Sequence, residues 1–214
     1  MRGVFMTGTD TDAGKTIASA CLLVALRRRW PQAGYWKPVQ SGLDDLPRGD
    51  TGTVADLTGS ADSDFPAPAY AFRAPLSPDQ AAARDGAVID AATITLPACP
   101  GPLVVEGAGG IMVPVDGTLL MLDLAERFGL PVVVAARTGL GTINHTLLTL
   151  AALRARALPV AGVLFSGPDH PDNIATIARL GAVPVLGRIP RLPDLTPAAI
   201  AAAAEKISLP LLLS

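Results

Sequence analysis

The sequence is poor in lysine and glutamate. Of its seventeen basic residues only Lys15, Lys37 and Lys206 are lysine, and of its nineteen acidic residues only Glu106, Glu126 and Glu205 are glutamate. A chain that writes its surface cations as arginine keeps lysine where a compact, mobile ammonium is needed. Long basic runs are lacking too: the longest, residues 27–29, closes an apolar helical pattern, where cations complement the helix dipole. With a formal net charge of −2, nucleic acid is not an expected partner.

The two cysteines, Cys21 and Cys99, have neither metal-ligand spacing nor a framework pattern, which fits a reducing compartment and a buried role for Cys21 inside an Ala/Leu-rich helix. No apolar run reaches the length of a membrane span. Polar residues 7–12 interrupt the first apolar run before it could serve as a signal peptide, so a cytoplasmic protein with no membrane partner is expected. His145 and His170 have no nucleophile patterned with them, so a hydrolase triad or zinc site is not supported, and His145 reads as a packing or capping residue. No Asn-Lys pair exists, which removes the base reader of a guanine-nucleotide switch. There is no internal repeat and no linker, so one domain over residues 1–214 is expected.

What is present is alternation. Half the chain is hydrophobic, and short Val/Leu-rich runs at 4–7, 35–39, 103–106, 132–136, 160–165 and 185–189 read as buried strands. Helical patterns fall between them, near 15–29, 51–57, 79–84, 119–128, 142–157, 172–180 and 197–207. Such alternation predicts an α/β fold: a doubly wound, mostly parallel sheet with helices on both faces, as in P-loop NTPases. Residues 59–100 are Pro-, Ala- and Asp-rich with weak periodicity, and the apolar end, 209–214, reads as a last strand or a packing segment.

Between the first strand and first helix stands Gly8-Thr9-Asp10-Thr11-Asp12-Ala13-Gly14-Lys15-Thr16. Glycines let successive amides turn inward toward phosphate oxygens, and the helix start adds its positive end. Lys15 supplies charge for the outer phosphates, and the Thr16 hydroxyl can ligate Mg²⁺. Five residues separate Gly8 from Gly14, one more than in the common G-x-x-x-x-G-K-[ST] loop.

Three further features fall at strand ends. Lys37-Pro38-Val39-Gln40-Ser41-Gly42 closes the second strand, where neighbouring carboxyl ends line one crevice, so Lys37 can project beside the phosphates. Glu106, ending the run Leu103-Val104-Val105 and followed by Gly107-Ala108-Gly109-Gly110, is an acid whose burial requires pairing or a metal. Residues 139–145 open a long helix whose amides suit an anion, with Thr142 a possible N-cap.

Taken together, G-T-D-T-D-A-G-K-T, K-P-V-Q-S-G, V-E-G-A-G-G and G-T-I-N-H occur in the order found in dethiobiotin synthetases. The chain resembles that family over nearly its whole length, with a weaker match at Leu76-Ser77-Pro78 and Ala81-Ala82. The resemblance implies ATP- and Mg²⁺-dependent carboxylation of 7,8-diaminopelargonate with CO₂. It further implies a carbamate, a carbamic–phosphoric anhydride, then ring closure by the second amine. By family position, Lys15 and Lys37 are catalytic. Thr16, Asp50 and Glu106 hold the metal, with Asp44 or Asp45 open as alternatives to Asp50. Asp12, Ala13, Gly14, Lys15, Thr16, Ile17, Asp50, Glu106, Gly107, Ala108, Gly109, Ser166, Pro190, Arg191 and Leu192 bind the nucleotide. Thr11, Ser41, Leu140, Gly141, Thr142 and Asn144 bind the diamine acid, the last four from the second subunit of a homodimer.

Two departures stand out. Ser166-Gly167 replaces the family's Asn-Asp, which implies loose base selectivity, and Asp79 replaces a histidine. Glutamine-dependent enzymes such as the cobyrinate synthetases or CTP synthase carry a further domain, which is not expected in 214 residues. A non-enzymatic ATP switch of the partition-protein type would need a lysine early in the loop, where Thr9 and Asp10 stand.

Overall fold

The computed structural model describes residues 3–209. Six strands form a wholly parallel sheet: β1 (Gly3–Gly8), β2 (Gly34–Trp36), β5 (Leu103–Gly110), β6 (Val132–Arg137), β7 (Val160–Ser166) and β8 (Val185–Ile189), in the spatial order β2-β5-β1-β6-β7-β8. The remaining two, β3 (Val39–Gln40) and β4 (Tyr70–Ala71), pair with each other alone. Seven helices connect them among the described residues: α1 (Lys15–Arg27), α2 (Gly49–Thr58), α3 (Pro78–Arg84), α4 (Met121–Phe128), α5 (Thr142–Ala155), α6 (Pro171–Gly181) and α7 (Pro197–Ala204).

Strand alternation divides the sheet's side chains between two cores. Val4, Met6, Tyr35, Val104, Val133, Ala135 and Leu164 pack with Leu22, Leu23 and Leu26 of α1, Val54 of α2 and Ile200 of α7. Their neighbours Phe5, Trp36, Leu103, Val105, Val132, Val134 and Phe165 pack with Met121 and Leu124 of α4, Leu150 and Leu153 of α5 and Ile177 of α6. Both faces are covered, and so the strands read as continuous apolar runs rather than alternating ones. Cys21 is fully buried in the α1 layer, as its surroundings in sequence predict.

The expected strand 35–39 is split instead. Pro38 has no amide hydrogen to give to a ladder, so β2 stops at Trp36 and the chain turns away before Val39 and Gln40 pair with β4. Arg27 also does more than complement a dipole. It donates to the Ala33 carbonyl and the Ser60 hydroxyl and lies over the Phe65 ring. The weakly periodic 59–100 segment holds β4, α3 and two short 3₁₀ turns, Asp62–Asp64 and Ala91–Thr93. Of the expected terminal strand 209–214, all but Leu209 lies outside the described residues. No helix among those described is long and apolar enough to cross a membrane.

Candidate active site

The chain reverses its winding about β1, with β5 and β2 on one side and β6 to β8 on the other. Ligand sites of open parallel sheets lie at the carboxyl ends of strands at such a switch point. Here the loop after β1 passes through Asp12 at φ 57° and reaches Gly14 at φ 87°, which is the N-cap of α1. A left-handed Gly14 leaves α1 without a side-chain cap, so the first-turn amides, which have no helical partner, are free for an anion. A side chain at Gly14 would be strained by that φ, and its Cβ would crowd Ser166 Oγ at 3.0 Å.

Four elements then deliver charged or polar groups to one spot on the α1 face of the sheet. Tyr35 and Lys37 share a face by alternation, as do Val104 and Glu106, while Thr16 comes from the first turn of α1 and Asp50 from the first turn of α2. Lys37 Nζ lies 2.7 Å from Asp50 Oδ2 and 3.0 Å from Glu106 Oε1, and donates to the Gly107 carbonyl at 3.2 Å. Thr16 Oγ1 lies 3.0 Å from Asp50 Oδ1 and 3.1 Å from Glu106 Oε1. Tyr35 donates to Glu106 Oε2 at 3.1 Å. Lys15 Nζ donates to the Asp10 carbonyl at 3.2 Å.

These groups are deeply placed: Glu106 is 0%, Lys37 4% and Lys15 8% exposed. Burial is the largest influence on the Lys37 ammonium and by itself would lower its pKa, yet Glu106 and Asp50 together outweigh it and hold Lys37 above the ordinary lysine value. Burial likewise pushes Asp50 upward, but Lys37, the Thr16 hydrogen bond and Lys15 overcome it and keep the carboxyl below its ordinary value. For Lys15 the balance is reversed. Burial, then the Lys37 charge, lowers its pKa more than Glu106, Asp50 and Asp12 restore. Tyr35 is held well above the ordinary phenol value by burial and by the two carboxylates.

A cavity of about 720 Å³ opens over this cluster. Its wall brings together the expected residues Thr11, Asp12, Gly14, Lys15, Thr16, Ile17, Lys37, Ser41, Asp50, Glu106, Ala108 and Gly109. Among the competing aspartates, Asp50 alone reaches the cluster, whereas Asp44 pairs with Arg73 in the open. Leu140, Gly141, Thr142 and Asn144 are not part of that wall. Thr142 is neither the N-cap of α5, which is Gly141, nor free to meet a ligand: its hydroxyl donates to the Arg137 carbonyl and its amide to the Gly139 carbonyl. His145 is exposed rather than packed. Ser166 stands opposite Ile189 in the β7–β8 register, which carries Pro190, Arg191 and Leu192 to the same end of the sheet.

Two members of the site escaped the sequence reading. Tyr35 orients Glu106, and strand alternation with Lys37 was the signal for it. Gln40 accepts the Asp50 amide at 2.8 Å, and its side chain lies where any Cβ at Gly49 (φ 60°) would stand, which ties the start of α2 to the K-P-V-Q-S-G segment.

The donor set suits Mg²⁺. Thr16 Oγ1 sits within hydrogen-bond reach of both carboxylates, so three hard oxygen donors converge. A cation of that kind takes one or two carboxylates and completes its shell with water and phosphate.

A parallel, doubly wound sheet with an anion-binding loop after β1 and a Lys–Thr pair opening α1 defines a P-loop nucleotide-binding protein. Solved structures agree at the level of fold. The septum-site protein MinD of Pyrococcus horikoshii, complexed with Mg-ADP, aligns at a TM-score of 0.52 and 13% identity over 96% of this chain and 95% of that one. The MinC:MinD complex of Aquifex aeolicus aligns at 0.52 and 11%, over 96% and 94%. The AAA domain family matches residues 2–199. The ATP-dependent dethiobiotin synthetase of Agrobacterium fabrum is 48% identical over 91% of this chain and 89% of its own length, and that of Paramagnetospirillum magneticum 49% identical over 94% of each. A biotin biosynthesis bifunctional protein of Bordetella avium is 56% identical over 89% of this chain, which spans only 40% of that longer protein. The chain belongs to the dethiobiotin synthetases, a family of ATP-dependent cyclo-ligases of biotin biosynthesis.

Proposed function

We propose that this chain, acting as one domain, closes the ureido ring of dethiobiotin from 7,8-diaminopelargonate, CO₂ and ATP. One amine takes up CO₂ as a carbamate. A carbamate oxygen attacks the γ-phosphorus, ADP departs, and the second amine attacks the carbonyl carbon of the mixed anhydride, expelling phosphate. The observation that carries this reading is the placement of two buried lysines, Lys15 and Lys37, at the floor of the cavity beside the phosphate loop.

Negative charge gathers where carbamate meets triphosphate, so fixed cations contribute most of the rate. Lys15 and the α1 amides receive the outer phosphates, and Lys37 reaches the transferring phosphoryl and the carbamate. Thr16, Asp50 and Glu106 would hold Mg²⁺, which when bound neutralises charge on the phosphoryl oxygens. Asp12, Ala13, Ile17, Gly107, Ala108 and Gly109 line the nucleotide, with Ser166 and residues 190–192 at its base. Thr11 and Ser41 contact the diamine.

Residues 140–144 fit a homodimer, in which Leu140, Gly141, Thr142 and Asn144 of a second copy cover the substrate's carboxylate end. Full exposure of Leu140, with Leu148 at 62% on the following helix, supports an apolar contact there. The buried Thr142 would then contribute shape and not a hydrogen bond. Light scattering on the purified protein tests the dimer, and a monomer overturns it. A cytoplasmic location follows from the biosynthetic role. The partition-protein switch draws only on a likeness of fold, and Thr9 and Asp10 stand where such proteins carry an early lysine.

The test is incubation with diaminopelargonate, bicarbonate, Mg²⁺ and ATP, with mass detection of dethiobiotin. Product that requires all four supports the reading. ATP hydrolysis without product overturns it.

A further inference from the structure

All three hydrogens of the Lys37 ammonium are spent inside the protein, on Asp50 Oδ2, Glu106 Oε1 and the Gly107 carbonyl. The two carboxylates are held by the same group of donors. Asp50 Oδ2 and Glu106 Oε1 both face Lys37, Glu106 Oε2 accepts from Tyr35, and the one hydroxyl hydrogen of Thr16 lies within reach of Asp50 Oδ1 and of Glu106 Oε1. In this arrangement Lys37 has no hydrogen left for a substrate, and its ammonium lies between the two carboxylates that a cation would share.

We propose that Lys37 is a built-in counter-ion that occupies the divalent-cation site of the ligand-free protein, so that metal enters together with a triphosphate and not ahead of it. The proposal rests on the reading that Thr16, Asp50 and Glu106 are the metal's ligands.

The physical argument has two parts. Two carboxylates within reach of one hydroxyl, Glu106 fully buried and Asp50 partly so, would repel each other, and a buried charge without a partner is expensive. Lys37 cancels that repulsion and keeps both groups in their ligand positions. Thr16 can then turn its hydrogen away and offer a lone pair to a cation. Lys37 has no such option. A divalent ion sharing its oxygens would face the fixed ammonium within a few ångströms, with the second ammonium of Lys15 in the same cavity wall. Release of Lys37 therefore needs a new anionic partner, and a triphosphate provides one. Metal and nucleotide are coupled through one side chain, and the same move carries Lys37 from the carboxylates to the reacting phosphoryl.

The test is a titration of nucleotide-free protein with Mn²⁺, read as free Mn²⁺ by electron paramagnetic resonance, for wild type, Lys37→Met and Lys37→Gln. Both variants are expected to bind free Mn²⁺ about tenfold or more tighter than wild type, and a non-hydrolysable ATP analogue is expected to narrow that gap. Equal or weaker Mn²⁺ binding by the folded variants overturns the proposal. Wild type also tests it without any variant: Mn²⁺ alone should leave the thermal midpoint in place, and Mn²⁺ with the analogue should raise it. A rise of several degrees with Mn²⁺ alone overturns it as well. No diamine or bicarbonate is present, so failure here is separate from failure to form dethiobiotin.

Discussion

Tyr35 donates its phenolic hydrogen to Glu106 Oε2 across 3.1 Å, from one parallel strand to the next, with both side chains fully buried. This bond aims Oε1 at Thr16 and Lys37, because a carboxylate held at one oxygen has little freedom at the other. Tyr35→Phe keeps the ring in its edge-on contact with Phe65 and removes only the hydroxyl. A hydrogen bond to a charged group contributes about 1.5–3 kcal/mol, so urea unfolding should register a loss of that order. Turnover should fall, and the Mg²⁺ concentration for half-maximal rate should rise. Unchanged stability together with an unchanged Mg²⁺ requirement would show that Glu106 needs no such support.

Lys37→Ala separates binding from chemistry. The loop amides and Lys15 remain, so affinity for the nucleotide should survive. Loss of a cation aimed at developing charge costs on the order of a hundredfold or more in kcat. The measurements are nucleotide binding by calorimetry and dethiobiotin formation by mass. Turnover equal to wild type would refute the role given to Lys37.

The strength of the sequence signal followed how local each geometry is. Lys15 and Thr16 could be read directly because the loop, the strand before it and the helix after it are contiguous. Lys37 and Glu106 were legible one step further out, since both end apolar strands and parallel strands align their carboxyl ends. Asp50 was not. Residues 43–50 lack periodicity, and the choice among three aspartates was made by Gln40, which captures the Asp50 amide. The break at Pro38 has a sequence signal, since proline gives no amide hydrogen to a ladder, although Trp36 and Val39 on either side of the Lys-Pro step suit a strand. Residues 140–144 were legible as a helix start suited to an anion, but one chain does not bring them to the cavity, and their proposed place over the substrate rests on the family resemblance.

Base selectivity should be loose. Ser166 packs against Gly14, and its Oγ has a short reach compared with an amide side chain. Strong discrimination arises when the wrong base leaves buried polar groups unpaired, and one hydroxyl followed by Gly167 gives little of that. Values of kcat/KM for ATP, CTP and GTP should therefore fall within about tenfold of one another. A strong preference for ATP would point to another reader of the base.

The thiols give a prediction outside the site. Cys21 is fully buried and burial pushes its thiol up to about 12, whereas Cys99 is half-buried. At about pH 8 a thiolate-selective reagent should label Cys99 in the native protein and reach Cys21 only on unfolding. The same shift sets an alkaline limit on stability. The fold favours the neutral thiol, so above the ordinary value of 9.0 the unfolded chain has lost a proton that the native chain keeps. Stability from this group is constant below that pH and declines as pH rises toward about 12, with a limiting slope of about 1.4 kcal/mol per pH unit. Cys21→Ala should be somewhat less stable at neutral pH, through the lost packing, yet show a shallower alkaline decline in urea midpoint. Parallel pH profiles for the two proteins would mean that another buried acid, such as the Tyr35 phenol, sets the limit.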